Sequence, residues 1–282
     1  MTFAISRRDP VRRVQFASEL AALCGIRSEV ILQAFAAVPR EDFLPAGPWT
    51  IEGMDGACFS SPDDDPDHIL HAVGVVLGRG GDQPLHCANP APVAKALQNT
   101  RFLPGDRVLH VGAGLGYFSA VIAELVGRTG RVIAAEIDPR LAEQARVNLS
   151  PWTQVEVTGD ALALGPQPYD VIFSSAGMAS IPADWLDSLA PGGRMMLPLT
   201  GSNGSGFTFL IGPRPTDGSL PAKLESFVRF YPCLGLRNER DLARLDEALG
   251  NGRAPFVRAL RRDPHDPDET CWLHHADWCL SL

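Results

Sequence analysis

Apolar and polar positions along this chain follow two different periods, and the change from one to the other marks out three regions. In VRRVQFASELAALCG (11–25), Val14, Leu20 and Leu23 recur among polar residues at helical spacing. Gly25 is placed to cap that helix at its C-terminus. A second helix is predicted over SEVILQAFAAV (28–38), with Ser28 as N-cap and Pro39 ending it. Turn formers then dominate from Pro48 to Pro84. Within that stretch the acidic run Asp63–Asp64–Asp65 reads as a solvated loop capping a helix from about Asp67.

From about residue 80 to residue 213, short apolar runs alternate with helical patterns. Strands are predicted at RVLHVG (107–112), RVIAAE (131–136), QVEVTG (154–159), YDVIFSSA (169–176), RMMLPL (194–199) and FTFLIG (207–212). Helices are predicted at YFSAVIAELVG, PRLAEQARVNL and PADWLDSLA. This alternation implies an α/β domain with a mainly parallel sheet covered by helices on both faces. Beyond residue 213, KLESFVRFYPCLGL reads as a further strand and RDLARLDEALG as an amphipathic helix. The expected organisation is a helical segment over 1–80, a cofactor-binding α/β domain over 81–213 and a C-terminal extension over 214–282. The extension has three open roles: covering the active site, pairing with another subunit, or shaping the substrate entrance.

Composition narrows the function class. The net charge is −8 over 282 residues, so no broad basic surface is expected, which argues against nucleic acid as the main partner. No run reaches the roughly 18 apolar residues of a membrane helix. MTFAISRRDPVRR has no apolar signal core, so a cytoplasmic enzyme is expected. The six cysteines form no CxxC pair and are expected to be reduced. CWLHHADWC gathers Cys271, His274, His275 and Cys279, but at none of the usual zinc spacings, so no metal is expected.

The candidate chemistry starts at LHVGAGLGYFSA (109–120). The turn Gly112-Ala113-Gly114-Leu115-Gly116-Tyr117 carries tyrosine where a dinucleotide-binding turn has its third glycine. This GxGxG spacing suits a nucleoside joined to an amino acid, without a phosphate. The glycines allow a tight turn and a close approach of ligand to backbone. The next strand ends in Glu136, followed by Ile137. An acidic residue there accepts hydrogen bonds from both ribose hydroxyls. Asp138 reads as an N-cap with Pro139 at the first helical position. After the third strand come Asp160 and Ala161. Asp160 is placed to meet an adenine amino group, or only to cap a turn. These three stations stand at the carboxyl ends of successive strands, where open α/β sheets bind ligands, and they point to S-adenosylmethionine.

VLHVGAGLGYFSAVIAELVG, VIAAEIDP, GDA, YDVIFSSAG and LAPGGRMMLPL together resemble the motif series of class I methyltransferases. AFAAVPREDFLP (34–45) followed by LPGDRVLHVGAGLGY (103–117) is similar to the protein-L-isoaspartate O-methyltransferase family. PGGRMMLPL also matches that family's GGxxxxPxG strand, although Thr200 precedes Gly201 here. The resemblance covers roughly residues 14–212. It implies a Rossmann-like fold with a seven-stranded sheet, and methyl transfer to a carboxylate on a protein or peptide. A carboxylate is already ionised at neutral pH, so such a reaction rests on alignment and exclusion of water.

The chain departs from the family at PLHCANP (84–90), where the family carries GQTIS-x-P. Pro90 matches, but His86 stands in place of the threonine, Cys87 of the isoleucine and Ala88 of the serine. The residues from Ser174 to Met178 replace the family's small-residue-plus-proline loop. His86 and Asn89 are therefore the candidate catalytic residues, holding a carboxylate in another way. The alternatives are a biosynthetic peptide or small-molecule substrate, with His86 as a general base, or a packing role for His86. Asp170, at the far end of its strand, reads as structural, and the scattered tryptophans as packing.

Overall fold

In the computed structural model, which describes residues 9–53, 56–80, 83–214 and 220–282, the chain opens as its pattern suggests. Helix α1 (Pro10–Cys24) begins where the Asp9 carboxylate accepts from the Val11 N–H, and ends where Gly25 turns left-handed at φ 62°. In α2 (Glu29–Ala37), Ser28 occupies the N-cap but makes no side-chain cap bond.

The stretch expected to be turns is partly a sheet. Strands β1 (Thr50–Glu52), β2 (Cys58–Ser60), β3 (Gly74–Gly80) and β4 (Gln83–Cys87) pair in the order β2-β1-β3-β4, and every pair is antiparallel. The N-terminal segment is thus only partly helical. Its first two strands are three residues long, too short for alternation to show in sequence. Trp49, Ile51, Ile69, Val75 and Cys87 bury against one another and hold β1, β3 and β4 together, while β2 is exposed along its length. The helix expected from about Asp67 is a single 3₁₀ turn, Pro66–Ile69, capped by the Asp65 carboxylate. Asp65 also pairs with Arg12 at 2.5 Å.

The chain continues through α3 (Pro90–Thr100), β5 (Arg107–Val111), α4 (Tyr117–Val126), β6 (Arg131–Ala135), α5 (Pro139–Asn148), β7 (Val155–Thr158), β8 (Tyr169–Ser174) and α6 (Ala183–Asp187). Then follow β9 (Leu189–Thr200), β10 (Ser205–Ile211), β11 (Leu220–Arg229), α7 (Glu239–Gly250), β12 (Ala259–Arg261), β13 (Cys271–His274) and β14 (Cys279–Ser281). Two units emerge. The first comprises the described residues up to Gly105, with 113–130 and 138–157; the second comprises 106–112, 131–137 and the described residues from Thr158 onward.

The larger sheet is ordered β13-β14-β12-β11-β10-β9-β8-β5-β6-β7, and all of its strands except most of β7 fall in the second unit. The pairs β5–β6, β5–β8 and β8–β9 are parallel, as the alternating pattern predicts. From β9 outward every pair is antiparallel. Seven strands, β5 to β11, match the expected sheet; β12, β13 and β14 add three more from the C-terminal residues. The boundary expected at residue 213 therefore cuts through the sheet, because β11 lies between β10 and β12. Met195, Leu197, Phe209, Leu260, Trp272 and Leu280 share one buried core, which ties the C-terminal strands to the parallel ones.

Asp170 is structural, as expected. It accepts from the Arg107 backbone N–H at 2.9 Å and from Arg107 Nε at 3.0 Å, which joins the starts of two neighbouring strands. Arg107 and burial have opposite effects on its carboxyl, and the outcome lies below the usual range.

Candidate active site

In the second unit, the carboxyl ends of the parallel strands form a row of turns. At the end of β5, Gly112 has φ 75° and donates its N–H to the Ala135 carbonyl at 2.9 Å. A Cβ at Gly112 would lie 3.0 Å from the Ala176 Cβ, so both backbone angle and space demand glycine. At the end of β6, the Glu136 N–H donates to the Thr158 carbonyl at 3.1 Å. Its side chain is buried at 8% exposure, whereas Ile137 is exposed. Asp160 uses a carboxylate oxygen to accept from the Leu162 N–H at 2.9 Å, capping a 3₁₀ turn over Ala161–Ala163. The capping role weighed for Asp160 is thus present. Ala161 is buried beneath it.

The loop after β8 is held from the C-terminal side. The Gly177 N–H donates to the Tyr231 carbonyl, the Cys233 N–H to the Gly177 carbonyl, and the Ala179 N–H to the Leu236 carbonyl. Arg237 Nη1 donates to the Thr200 carbonyl and to Thr200 Oγ1, each at 2.8 Å, and its Nη2 donates to the Gly201 carbonyl. Gly177 has no room for a Cβ, which would run into Thr200 Oγ1. This packing requires glycine at 177. Burial pushes the Cys233 thiol up to about 12, and the Asp160 and Glu136 carboxylates add to the rise. Cys233 is thus within electrostatic reach of two of the expected site residues, a relation that no spacing in the sequence signals.

In the first unit, the rest of the glycine turn leads into α4. Gly114 and Gly116 are left-handed at φ 57° and 96°, and Gly116 donates to the Ala113 carbonyl at 2.9 Å. A Cβ on Gly116 would lie 2.8 Å from Leu149 Cδ1. A Cβ on Gly114 would meet nothing within 4 Å among the described residues, so space is open there. The Leu115 carbonyl accepts from Asn148 Nδ2 at 2.9 Å. Tyr117, expected to line a cofactor, sends its ring into the core instead, edge-on to Phe35 and Phe43. Its backbone alone is left to line the turn.

The candidate catalytic residues also lie in this unit. His86 is on strand β4, opposite Val76, rather than in a loop. Its Nδ1 lies 2.7 Å from Glu52 Oε2. Asn89 is a helix cap: its Oδ1 accepts from the Ala91 N–H and its Nδ2 donates to the Ala72 carbonyl at 2.8 Å. These two bonds give Asn89 a positioning role at the start of α3.

Sequence reasoning missed Glu52 and Arg40. Arg40 is fully buried and donates to the carbonyls of Ile69 (2.6 Å), His71 (3.1 Å), Val73 (2.8 Å) and Ala88 (3.3 Å). It ties the lead into β3 to the residue between Cys87 and Asn89. The signal was present in VPR, where an arginine directly follows a helix-ending proline.

A third grouping lies in the C-terminal hairpin. His265, rather than His275, joins Cys271, His274 and Cys279. His275 instead stacks on Trp278, with ring centroids 4.2 Å apart. Among the described residues, no helix is long and apolar enough to cross a membrane.

Residues 80–238 match the family model for protein-L-isoaspartate(D-aspartate) O-methyltransferase. The chain belongs to that family. It is an S-adenosylmethionine-dependent methyltransferase. The match runs past residue 212, where the resemblance was expected to end, and takes in β11 and the segment that holds the Gly177 loop. The chain is 32% identical to a protein-L-isoaspartate O-methyltransferase of Methanopyrus kandleri, covering 79% of this chain and 91% of the relative. It is 34% identical to one from Aeropyrum pernix, covering 83% and 84%. A solved protein-L-isoaspartate O-methyltransferase superposes with a TM-score of 0.66 at 27% identity, over 79% of this chain and 66% of that one. A Plasmodium falciparum structure assigned to the same family and holding S-adenosyl-L-homocysteine shares the fold, with a TM-score of 0.60 at 15% identity, over 80% of this chain and 98% of that one.

Proposed function

We propose that this methyltransferase esterifies a carboxylate on a protein or peptide, with the glycine turn and the strand-end residues holding the cofactor and His86 on the substrate side. When bound, S-adenosylmethionine supplies an electrophilic methyl group. The turn from Gly112 to Gly116, with the backbone of Tyr117, cradles the amino-acid portion. Glu136 accepts from the ribose hydroxyls, while Ile137, Asp160 and Ala161 line the adenine. Asp160 keeps one carboxylate oxygen for its turn and offers the other. Glu52 fixes the orientation of the His86 imidazole. Asn89 and Arg40 position the backbone around Ala88, where the family carries serine.

The observation that carries this reading is Gly114: left-handed, with open space where a side chain would project. Packing within the protein does not require glycine there, whereas a ligand against the backbone does. Gly114→Ala is expected to cost only about 1 kcal/mol of stability, from the left-handed backbone. It is expected to weaken cofactor binding at least tenfold by filling the ligand's space. Calorimetric titration beside a thermal melt checks this, and unchanged affinity in a folded variant would sink the assignment.

A second reading follows from Ala88 and His86, which remove the family's hydroxyl contacts: the carboxylate belongs to an aspartate of a biosynthetic peptide, or to a small molecule. Labelled S-adenosylmethionine offered with an isoaspartyl peptide and its normal aspartyl counterpart separates the two. Base-labile label on the isoaspartyl peptide alone supports the first. Cofactor binding with no label on either peptide favours the second.

A further inference from the structure

The C-terminal hairpin gathers four side chains of a kind that bind soft metals. One ligand-capable atom each from His265, Cys271, His274 and Cys279 lies within 4.8 Å of the other three. Cys271 and His274 are the two ends of β13, and Cys279, the register partner of His274, opens β14. Residues three apart on an unbroken strand face opposite sides. The register shift between Cys271 and Leu273 breaks that alternation and lets Cys271 and His274 meet.

The surroundings orient these groups as ligands. His265 Nδ1 lies 2.7 Å from the Asp263 carbonyl oxygen, which accepts only, so Nδ1 carries the proton and donates. In the neutral ring this leaves Nε2 with its lone pair, 3.5 Å from Cys271 Sγ. Asp268 holds Cys271 Sγ from two sides: its N–H donates to the sulfur at 3.5 Å, and its Oδ1 lies 3.6 Å from it. Cys279 is fully buried. His274 Nδ1 is buried with no hydrogen-bond partner among the described residues, and its ring stands edge-on to that of His265 at 4.9 Å.

We propose that His265, Cys271, His274 and Cys279 form a tetrahedral zinc site that clasps the loop 262–270 onto the β13–β14 hairpin. Two thiolates and two imidazoles are a donor set that selects zinc. With Zn–S near 2.3 Å and Zn–N near 2.0–2.1 Å, ligand atoms of such a site stand roughly 3.3–3.8 Å apart. The His265–Cys271 separation already falls in that range, and the others need to close by no more than about 1.5 Å. On binding, each cysteine exchanges its S–H bond for an S–Zn bond. Two protons pass to solvent, and no electrons are transferred. Four protein ligands leave no open coordination position, so the ion is structural. The ion adds to the loop's other ties, which include Arg261 to Asp263, Arg262 to Asp187 and Arg253 to the Glu269 carbonyl, each at an exposed position, and the Leu282 N–H to the Thr270 carbonyl.

Elemental mass spectrometry on the full-length protein, purified under reducing conditions from zinc-supplemented cells, tests this. About one zinc per chain is expected, and loss of at least nine-tenths of it in Cys271→Ser and in His265→Ala. His265 lies in the loop, so its variant keeps the test open if Cys271→Ser fails to fold. Cobalt(II) added to chelator-stripped protein is expected to give tetrahedral d–d bands and thiolate charge-transfer absorption, both missing from the folded variant. A chelator is expected to lower the Tm of the native protein and to leave that of the His265 variant unchanged. Folded, reduced protein that takes up no stoichiometric zinc, or that keeps its zinc in both variants, overturns the proposal. So does a Cys271–Cys279 disulfide in freshly isolated protein.

Discussion

Arg40→Met is expected to destabilise the protein by about 4 kcal/mol or more, and to lower Tm by roughly 8–16 °C or leave the protein insoluble. The guanidinium is fully buried and donates to four backbone carbonyls, at Ile69, His71, Val73 and Ala88. Methionine fills much of the volume but donates nothing, so four carbonyls lose a donor, at about 1–3 kcal/mol for each left unsatisfied. Some of that loss is recovered by water and by local shifts. Arg40→Lys keeps the charge, but its compact ammonium cannot reach carbonyls spread along two chain segments. It is therefore expected to recover less than half of the loss. Thermal melts of the three proteins check this. A Tm within about 2 °C of the native value for the methionine variant, corresponding to under 1 kcal/mol, would remove Arg40 from the account.

Glu136→Ala is expected to raise the Kd for S-adenosylmethionine by about 100-fold or more. Two ribose hydroxyls lose a charged acceptor, and hydrogen bonds to charged groups are each worth about 1.5–3 kcal/mol. Glu136 is a buried residue, so little solvent screening weakens the contact. Glu136→Gln keeps one acceptor oxygen without the charge, and its Kd is expected to fall between the two. Calorimetry on all three proteins decides, and an unchanged Kd in a folded alanine variant would show that the ribose is held elsewhere. Because Gly114→Ala acts by filling space and Glu136→Ala by removing an acceptor, the two losses are expected to add in free energy if the sites are independent.

The parts of this molecule legible in its sequence are those set by local chemistry. Asp138 caps α5 through its carboxylate, with Pro139 at the first helical position. Gly112, Gly114 and Gly116 all take the left-handed conformation that a tight turn requires. The six expected strands all exist: four of them, β5, β6, β8 and β9, are largely buried and show as near-continuous apolar runs, while β7 shows by alternation. The place of Tyr117 in the motif says nothing of where its ring goes, and the neighbouring Phe35 and Phe43 decide that. The positioning role of Asn89 was only half legible, because its capping partner Ala91 is local but its other partner, Ala72, is 17 residues away.

By itself, the sequence determined the parallel strands, the helices between them, the glycine turn and the acidic station at Glu136, since each depends on residues within a few positions of one another. Only the tertiary structure decided the rest. It set β1 to β4 against one another, brought Glu52 to His86, sank Arg40 beneath four carbonyls and tied Cys233 to Gly177. It also chose His265 over His275 as the companion of two cysteines. These are contacts across long loops or across a register shift, where the closing free energy comes from burial and pairing of distant segments, and spacing along the chain carries no record of it.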